Sequence, residues 1–424
     1  MIMKKANILR LKFIDAISGL NIYHVLEMFR SHQYMPEKDL DKIRQEKLDE
    51  LFTIAKQSSV YYSAFDSYKG LPVLTKKIMK LHPDHFLSKF YYDKLFKKAT
   101  GGTTGTPFVY NTSVNAQSHL WAGLLLSWES AGYQFGDKVA FIAGSALMKP
   151  TTRHGIFYNL MNIDLYPASS MEPGTILKYV ETIRQKKTGL IYGYAMAINV
   201  IADYIIENNI APLPGLKSIV CTSEMLTDKM RANIEKAFGI KVYNQYGCNE
   251  AGVSAFECGH GSMHLISSRS VYETDKDGIL ISTDLANEAF IFMKYNTGDV
   301  VEFADEPCSC RRTYPVLKKI IGRCNDVIVD KKNKRIHSSY FNFLFKKDKS
   351  IKQYQVFFDE NSIAVNLKVD NGFTDENYQH YLDEIKGNLA FDRYDIKTNE
   401  AFYSGSNAKH AFIIDKRKHD NAAA

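Results

Sequence analysis

The chain reads as an α/β protein: a large N-terminal domain with helix-covered, mostly parallel sheets, then a small α+β C-terminal domain. Three observations carry that expectation. Short apolar runs alternate with helical patterns from about residue 138 to 247. After about residue 325 a two-residue alternation takes over. The 424 residues, 45% hydrophobic and 24% charged, suffice for two or three cores.

Each element follows from its own pattern. "MIMKKANILRLKFIDAISGL" starts basic, but Asp15 cuts its apolar stretch short, so an amphipathic helix is expected rather than a signal peptide. Residues 37–57 are charged with helical spacing. "KVAFIAG" (138–144) is a short apolar run ending in glycine, a buried strand. Ile176, Val180 and Ile183 recur at helical intervals. "GLIYGYA" (189–195) is a strand, and Met196–Asn208 a helix with Ile198, Ile201 and Ile205 on one face. "LKSIVCTSE" (216–224) is again a strand. Thr227 caps a helix carrying Met230, Ile234 and Phe238, and Gly239 closes it. "IKVYNQYG" (240–247) is the next strand. Ligands of such sheets gather at the carboxyl ends of the strands, where "GYA", "TSE" and "NQYGCNE" fall.

The domains are expected to span 1–324 and 325–424. In the second, "QVFFDENSIAVNLKV" makes two strands about Glu360-Asn361, with Ile363, Val365, Leu367 and Val369 alternating. Thr374 precedes a helix with Tyr378, Leu382, Ile385 and Leu389 on one face, and a strand follows near Tyr394–Ile396.

Fifty-four basic against 47 acidic residues leave a net charge of +7, interspersed along the chain. That balance suits anions such as nucleotides and argues against a nucleic-acid surface. No apolar run reaches the length of a membrane span. Six cysteines in so long a chain fit a reducing cytoplasm, where clustered cysteines suggest metal.

"KKATGGTTGTPFVYNT" (97–112) holds Thr100, Thr103, Thr104 and Thr106 among Gly101, Gly102 and Gly105. Threonine hydroxyls and approachable backbone N–H groups suit phosphate, with Lys97 and Lys98 just upstream. A Walker-type loop is excluded, because Gly105 is followed by Thr106 and Pro107 rather than Lys-Ser/Thr. By itself such a stretch also fits a flexible turn.

Four more stretches follow it in order: "YNQYGCNEAG" (243–252), "KYNTGDVVEF" (294–303), "GRCNDVIV" (322–329) and "SGSNAKHAFIID" (404–415). With "LPVLTKKIM", "GYQFGDKVAFIAGS" and "ECGHGSMHL" paired with "CSC", the chain resembles the adenylate-forming acyl-activating superfamily over nearly its whole length. It looks most like the phenylacetate–CoA ligase-like and capsule-biosynthesis branch.

The resemblance implies ATP-dependent activation of a small carboxylic acid to an acyl-AMP, then transfer to an acceptor. Coenzyme A leads among acceptors; an amine on a sugar or amino acid, in polysaccharide biosynthesis, is the alternative. A non-catalytic nucleotide-binding protein of the same fold is the reading from a different class. The resemblance assigns the β- and γ-phosphates to Thr100–Thr106 (including Gly101, Gly102, Thr103, Thr104 and Gly105) and Mg²⁺ to Glu250. It assigns the ribose hydroxyls to Asp299, the ribose or α-phosphate to Arg323, and the adenine to Ser223, Glu224, Asn244, Gln245, Tyr246 and Gly247. Tyr194 and Ala195 fall to the carboxylate substrate. Lys409, Glu250 and Thr104 form the catalytic group, with Lys409 delivered by the mobile C-terminal domain. A homodimer is compatible with the resemblance.

The sequence departs from the family pattern at three points. Gly101 stands where Ser is usual, Asn296 where Arg or Lys precedes "TGD" (Lys294 lies two positions earlier), and Ala408 where Gly precedes the lysine.

Cys258 and His264, far in sequence from Cys308 and Cys310, have the plan of a metal clip. Three thiolates and an imidazole make a closed set suited to structural Zn²⁺. Spacing alone leaves this even with reduced cysteines, and leaves His260 as a rival ligand. The resemblance favours zinc, with His264 as the fourth ligand. Cys221, Cys248 and Cys324 lie in core or nucleotide motifs and look unrelated to the clip.

Overall fold

The computed structural model describes residues 5–90, 94–99, 108–144, 152–323, 327–332, 334–337, 339–345, 348–403 and 412–419. Helices α1 (Lys5–Ser18), α2 (Ile22–His32), α3 (Glu37–Ser58) and α4 (Lys76–Leu81) come first. A hairpin of β1 (Phe96–Ala99) and β2 (Val109–Thr112) follows, in register from Phe96 opposite Thr112 to Ala99 opposite Val109. Next comes α5 (Val114–Ser130), whose cap Ser113 accepts the Ala116 N–H at 3.1 Å.

The expected alternation is present. Strands β3 (Val139–Ala143), β4 (Ile163–Pro167), β5 (Leu190–Tyr194), β6 (Ser218–Thr222) and β7 (Val242–Cys248) pair in parallel in the order β4-β3-β5-β6-β7. Between them run α6 (Thr152–Leu160), α7 (Pro173–Gln185), α8 (Ala195–Glu207) and α9 (Asp228–Phe238). The signals at α9 hold: Thr227 accepts the Met230 N–H at 3.2 Å, and Gly239 ends the helix at φ 67°. Apolar residues of α7, α8 and α9 bury against one face of these strands, and those of α1, α2 and α5 against the other.

Beyond β7 the same sheet turns antiparallel. Strands β8 (Val253–Glu257), β9 (Met263–Leu265), β10 (Ser270–Thr274), β11 (Ile279–Asp284), β12 (Tyr295–Phe303) and β13 (Val316–Arg323) complete eleven, continuing from β7 as β8-β9-β13-β12-β11-β10. The parallel character is thus concentrated where strand–helix alternation is legible. Residues 328–413 build their own apolar core. It holds β14 (Val327–Val329), β15 (Arg335–His337), α10 (Ser339–Phe345), β16 (Ile351–Phe358), β17 (Ser362–Val369), α11 (Asp375–Asn388), β18 (Arg393–Thr398) and β19 (Ile413–Asp415), followed by α12 (Lys416–His419). Its sheet runs β18-β17-β16-β19.

Candidate functional site

The site is built where β5, β6 and β7 end. β5 passes directly into α8 at Tyr194 and Ala195. A Cβ on Gly193 would meet the Ile142 carbonyl oxygen at 2.1 Å, so glycine is needed where β5 lies against β3. Tyr194 is half-buried at this edge, whereas Ala195 is buried in the core. The Glu224 Oε2 accepts the Met196 N–H at 3.0 Å, placing a carboxylate at the first turn of α8, where the helix dipole favours negative charge. Ser223 adopts φ 67°, a conformation uncommon for a side-chain-bearing residue and frequent at functional sites.

Along β7 the side chains alternate between the two faces of the sheet. Gln245 is buried, and its Oε1 has no hydrogen-bond partner among the described residues. Asn244 and Tyr246 therefore share the opposite face. Gly247 is exposed. The Asn244 N–H donates to Glu257 Oε2 at 2.8 Å, fixing the strand from the β8 side. The Tyr246 hydroxyl donates to Asp299 Oδ2 at 2.7 Å. Burial, then the charge of Asp299, pushes the Tyr246 phenol well above its usual range, so it stays a donor. Asp299 lies buried on β12, in register with Arg323 on β13. The strands that carry these three residues, distant in sequence, thus lie in one sheet, with the β12 and β13 backbones in register at Asp299 and Arg323.

The turn after β7 is held from beneath. Ser282 donates to the Ala251 carbonyl at 2.7 Å and Ser270 to the Gly252 carbonyl at 3.0 Å. Gly252 sits at φ 68°, and a Cβ there would meet Asp284 at 2.4 Å. The turn carries Glu250, whose carboxylate lies 3.8 Å from Lys76 Nζ. Lys76 opens α4, capped by Thr75, within "LPVLTKKIM". That segment docks on the start of β12 through Leu74 N–H to Lys294 O at 2.9 Å and Asn296 N–H to Leu74 O at 2.8 Å. At the second departure Lys294 and Asn296 each have structural work of their own. Lys294 donates to the Lys69 and Leu71 carbonyls, and Asn296 accepts the Gly298 N–H at 2.8 Å. No sequence signal pointed to Lys76 as the partner of Glu250.

Thr100, Gly101, Gly102, Thr103, Thr104, Gly105 and Thr106 lie outside the described residues, as do Lys409 and Cys324. The strand leading into the first of these stretches is described. Lys97 is exposed and Lys98 turned inward. Burial, then the charge of Arg269, lowers the Lys98 ammonium to about 8.

A second constellation lies across the β8–β9 and β12–β13 connections. The ligand atoms of Cys258, His264, Cys308 and Cys310 all fall within 4.8 Å of one another. The Cys258 and Cys308 sulfurs are 3.7 Å apart, and Cys310 Sγ is 3.3 Å from His264 Nε2. A disulfide needs about 2.05 Å. A tetrahedral centre with ~2.3 Å metal–sulfur arms needs sulfur–sulfur edges near ~3.8 Å, and the cluster fits the latter. His264 Nδ1 faces the Tyr314 carbonyl at 3.2 Å, which fixes the tautomer with Nε2 turned to the thiols. Burial lowers the His264 imidazole to about 4, keeping it neutral. His260 is exposed and pairs with Ser309 at 3.0 Å, outside the group. Cys221 and Cys248 are buried, free thiols outside it as well.

A cavity of about 260 Å³ lies between the carboxyl ends of the large sheet and the C-terminal sheet, walled by Met196, Met225, Met230, Ile321, Phe345 and Tyr354. Lys229 crosses the same boundary, donating to the Asp348 carbonyl and, at 3.2 Å, to the Ile351 carbonyl.

No protein-family model matches the chain. Protein CapK of Staphylococcus aureus is 27% identical over 391 residues, 86% of this chain and 85% of that protein. The phenylacetate–coenzyme A ligase of Thermus thermophilus is 24% identical over 248 residues, 54% of this chain and 55% of the ligase. In fold, 2-hydroxyisobutyryl-CoA ligase in its postadenylation state with 2-HIB-AMP superimposes with TM-score 0.72 at 17% identity, covering 92% of this chain and 93% of the ligase. The same ligase in its thioesterification state superimposes at 0.59, with 17% identity and 93% and 94% covered. The likeness read from the ordered motifs therefore holds: the relatives this chain is similar to are a capsule-branch protein and a phenylacetate–CoA ligase, and its fold is that of an adenylate-forming CoA ligase.

Proposed function

We propose that this chain is an ATP-dependent ligase that converts a carboxylic acid to an acyl-AMP with release of pyrophosphate, then passes the acyl group to coenzyme A. The observation that carries the reading is the joining of Tyr246, at the carboxyl end of the parallel strand β7, to Asp299 on the antiparallel strand β12, with Glu250 on the turn after β7. A carboxylate is a poor acyl donor because its oxygen leaves badly, and AMP is a far better leaving group. The site must therefore hold a nucleotide and offset charge as the α-phosphate is attacked. In this reading Asp299 accepts the ribose hydroxyls, and Tyr246 holds its carboxylate in place. Ser223, Glu224, Asn244, Gln245 and Gly247 surround the base, and Arg323 contacts ribose or α-phosphate.

Glu250 is the carboxylate for Mg²⁺, a hard cation that takes oxygen ligands. Lys76, its neighbour, then faces the phosphates. Thr100–Thr106 hold the β- and γ-phosphates. Tyr194 and the methionine-walled cavity serve the acid. Residues 325–424 act as a mobile domain that brings Lys409 to the first step. Cys258, His264, Cys308 and Cys310 hold a structural Zn²⁺, in a closed set with no open position for catalysis. Thiol ligands of this kind suit a reducing cytoplasm.

The test is carboxylate-dependent exchange of labelled pyrophosphate into ATP, run over a panel of carboxylic acids. Exchange with one class of acid, followed by thioester formation on adding coenzyme A, is the expected result. Nucleotide binding without exchange for any acid would leave only a non-catalytic binding protein. Exchange with transfer to amines but not to coenzyme A would correct the acceptor.

A further inference from the structure

We infer that the outward face of α1 docks on an anionic lipid surface. α1 is apolar on two sides. Leu11 and Ile14 are fully buried in the core they share with residues of α2 and α5. On the outer side Leu9, Phe13 and Ile17 are 69%, 56% and 47% exposed. At four-residue spacing these form one ridge about 12 Å long. Apolar faces of a helix are normally turned to a core, and here only one of the two is.

The helix is held in place. Asp15 accepts the Ile22 and Tyr23 N–H groups, each at 2.8 Å, tying α1 to α2. Arg10 donates to the Leu160 carbonyl of α6 at 2.9 Å, Asn7 to the Phe135 carbonyl, and Lys94 to the Ser18 carbonyl. Nearby on α6, Ile156 is a further exposed apolar side chain. The ridge is therefore a fixed feature of the surface.

The charges select the occupant. The exposed charged residues of α1 are Lys5 and Lys12, both basic. Its one acid, Asp15, is buried and committed to the backbone of α2. A second copy brought face to face would set lysines against lysines. A convex ridge of three side chains is also far short of the ~800 Å² per partner that a stable protein interface needs. A few inserted apolar side chains with lysines at headgroup level suffice for reversible binding to an anionic bilayer.

The test is co-sedimentation of the full chain with vesicles of phosphatidylcholine alone or with about a third phosphatidylglycerol. Binding to the anionic vesicles, weakened by added salt, is expected, with little binding to the neutral ones. The double variant Leu9→Ser/Phe13→Ser should bind at least about tenfold more weakly, and Lys5→Glu/Lys12→Glu should lose the preference for phosphatidylglycerol. Thermal melting of each variant verifies its fold. Undiminished binding by both well-folded variants would overturn the assignment. So would absence of vesicle binding by the parent chain, or a dimer in solution that the Leu9→Ser/Phe13→Ser change abolishes.

Discussion

The phenol of Tyr246 and the carboxylate of Asp299, 53 residues apart in sequence, are joined by a hydrogen bond of 2.7 Å. A hydrogen bond to a charged group contributes roughly 1.5–3 kcal/mol. If Asp299 holds the ribose, Asp299→Ala should abolish exchange or raise the apparent KM for ATP by about a hundredfold, because both hydroxyls lose their acceptor. Tyr246→Phe keeps the ring and loses only the bond that orients the carboxylate, so a rise of about tenfold is expected. Pyrophosphate exchange at varied ATP measures both. Unchanged ATP dependence in Asp299→Ala would remove this residue from the site.

Lys409 can be tested by separating the half-reactions. A lysine brought in only for acyl-AMP formation stabilises charge that develops at the α-phosphate, and transfer from a ready-made acyl-AMP does not need it. Lys409→Ala should therefore lose exchange by at least about a hundredfold while keeping most of its transfer from supplied acyl-AMP. Equal loss of both halves would assign the residue a different role.

The strands and caps from 138 to 247 were legible because each is specified locally. Thr227, Gly239 and Thr374 act where their chemistry predicts, although the α11 capping box uses Asn377 at the third position rather than Glu or Gln. The antiparallel half of the sheet was not legible. β8, "VSAFE", is buried at every position, Glu257 included, because Arg231 pairs with that carboxylate at 2.8 Å. No period marks such a strand, and its neighbours are set by contacts distant in sequence. The same holds at the site. Motif order pointed to Tyr246, Glu250 and Asp299, whereas Lys76 beside Glu250 depends on docking of "LPVLTKKIM" against β12, a tertiary relationship.

His119 should make stability depend on pH. It is buried on α5, edge-on to Phe29, and burial lowers its imidazole to about 3 against an unfolded value near 6.5. Above pH 6.5 it is neutral in both states and has no effect. As pH falls from 6.5 toward 3, the unfolded chain binds a proton that the folded one refuses, and stability is lost. By pH 5 the loss is roughly 2 kcal/mol. Urea unfolding at pH 7 and pH 5 measures it. His119→Gln, whatever its stability at pH 7, should reduce the difference between the two pH values by about that amount. An identical difference in the variant would show that other groups carry it.

The Cys258, His264, Cys308 and Cys310 group predicts a metal content and two opposite histidine phenotypes. The 3.7 Å sulfur–sulfur and 3.3 Å sulfur–nitrogen separations match edges of a tetrahedron around Zn²⁺ and are too long for a disulfide. The group joins the β8–β9 connection to the β12–β13 connection, so bound metal would fasten two segments of the antiparallel half of the sheet. Metal-binding energy is then folding energy. Purified protein should carry about one zinc per chain, and exhaustive chelation should lower the melting temperature by at least about 5 °C. His264→Ala and Cys308→Ser should lose the zinc. His260→Ala should keep it, since His260 points to Ser309 and stands outside the cluster. Retention of full zinc content in His264→Ala would break the ligand assignment. Protein never exposed to chelator and yet free of zinc would end the metal reading altogether.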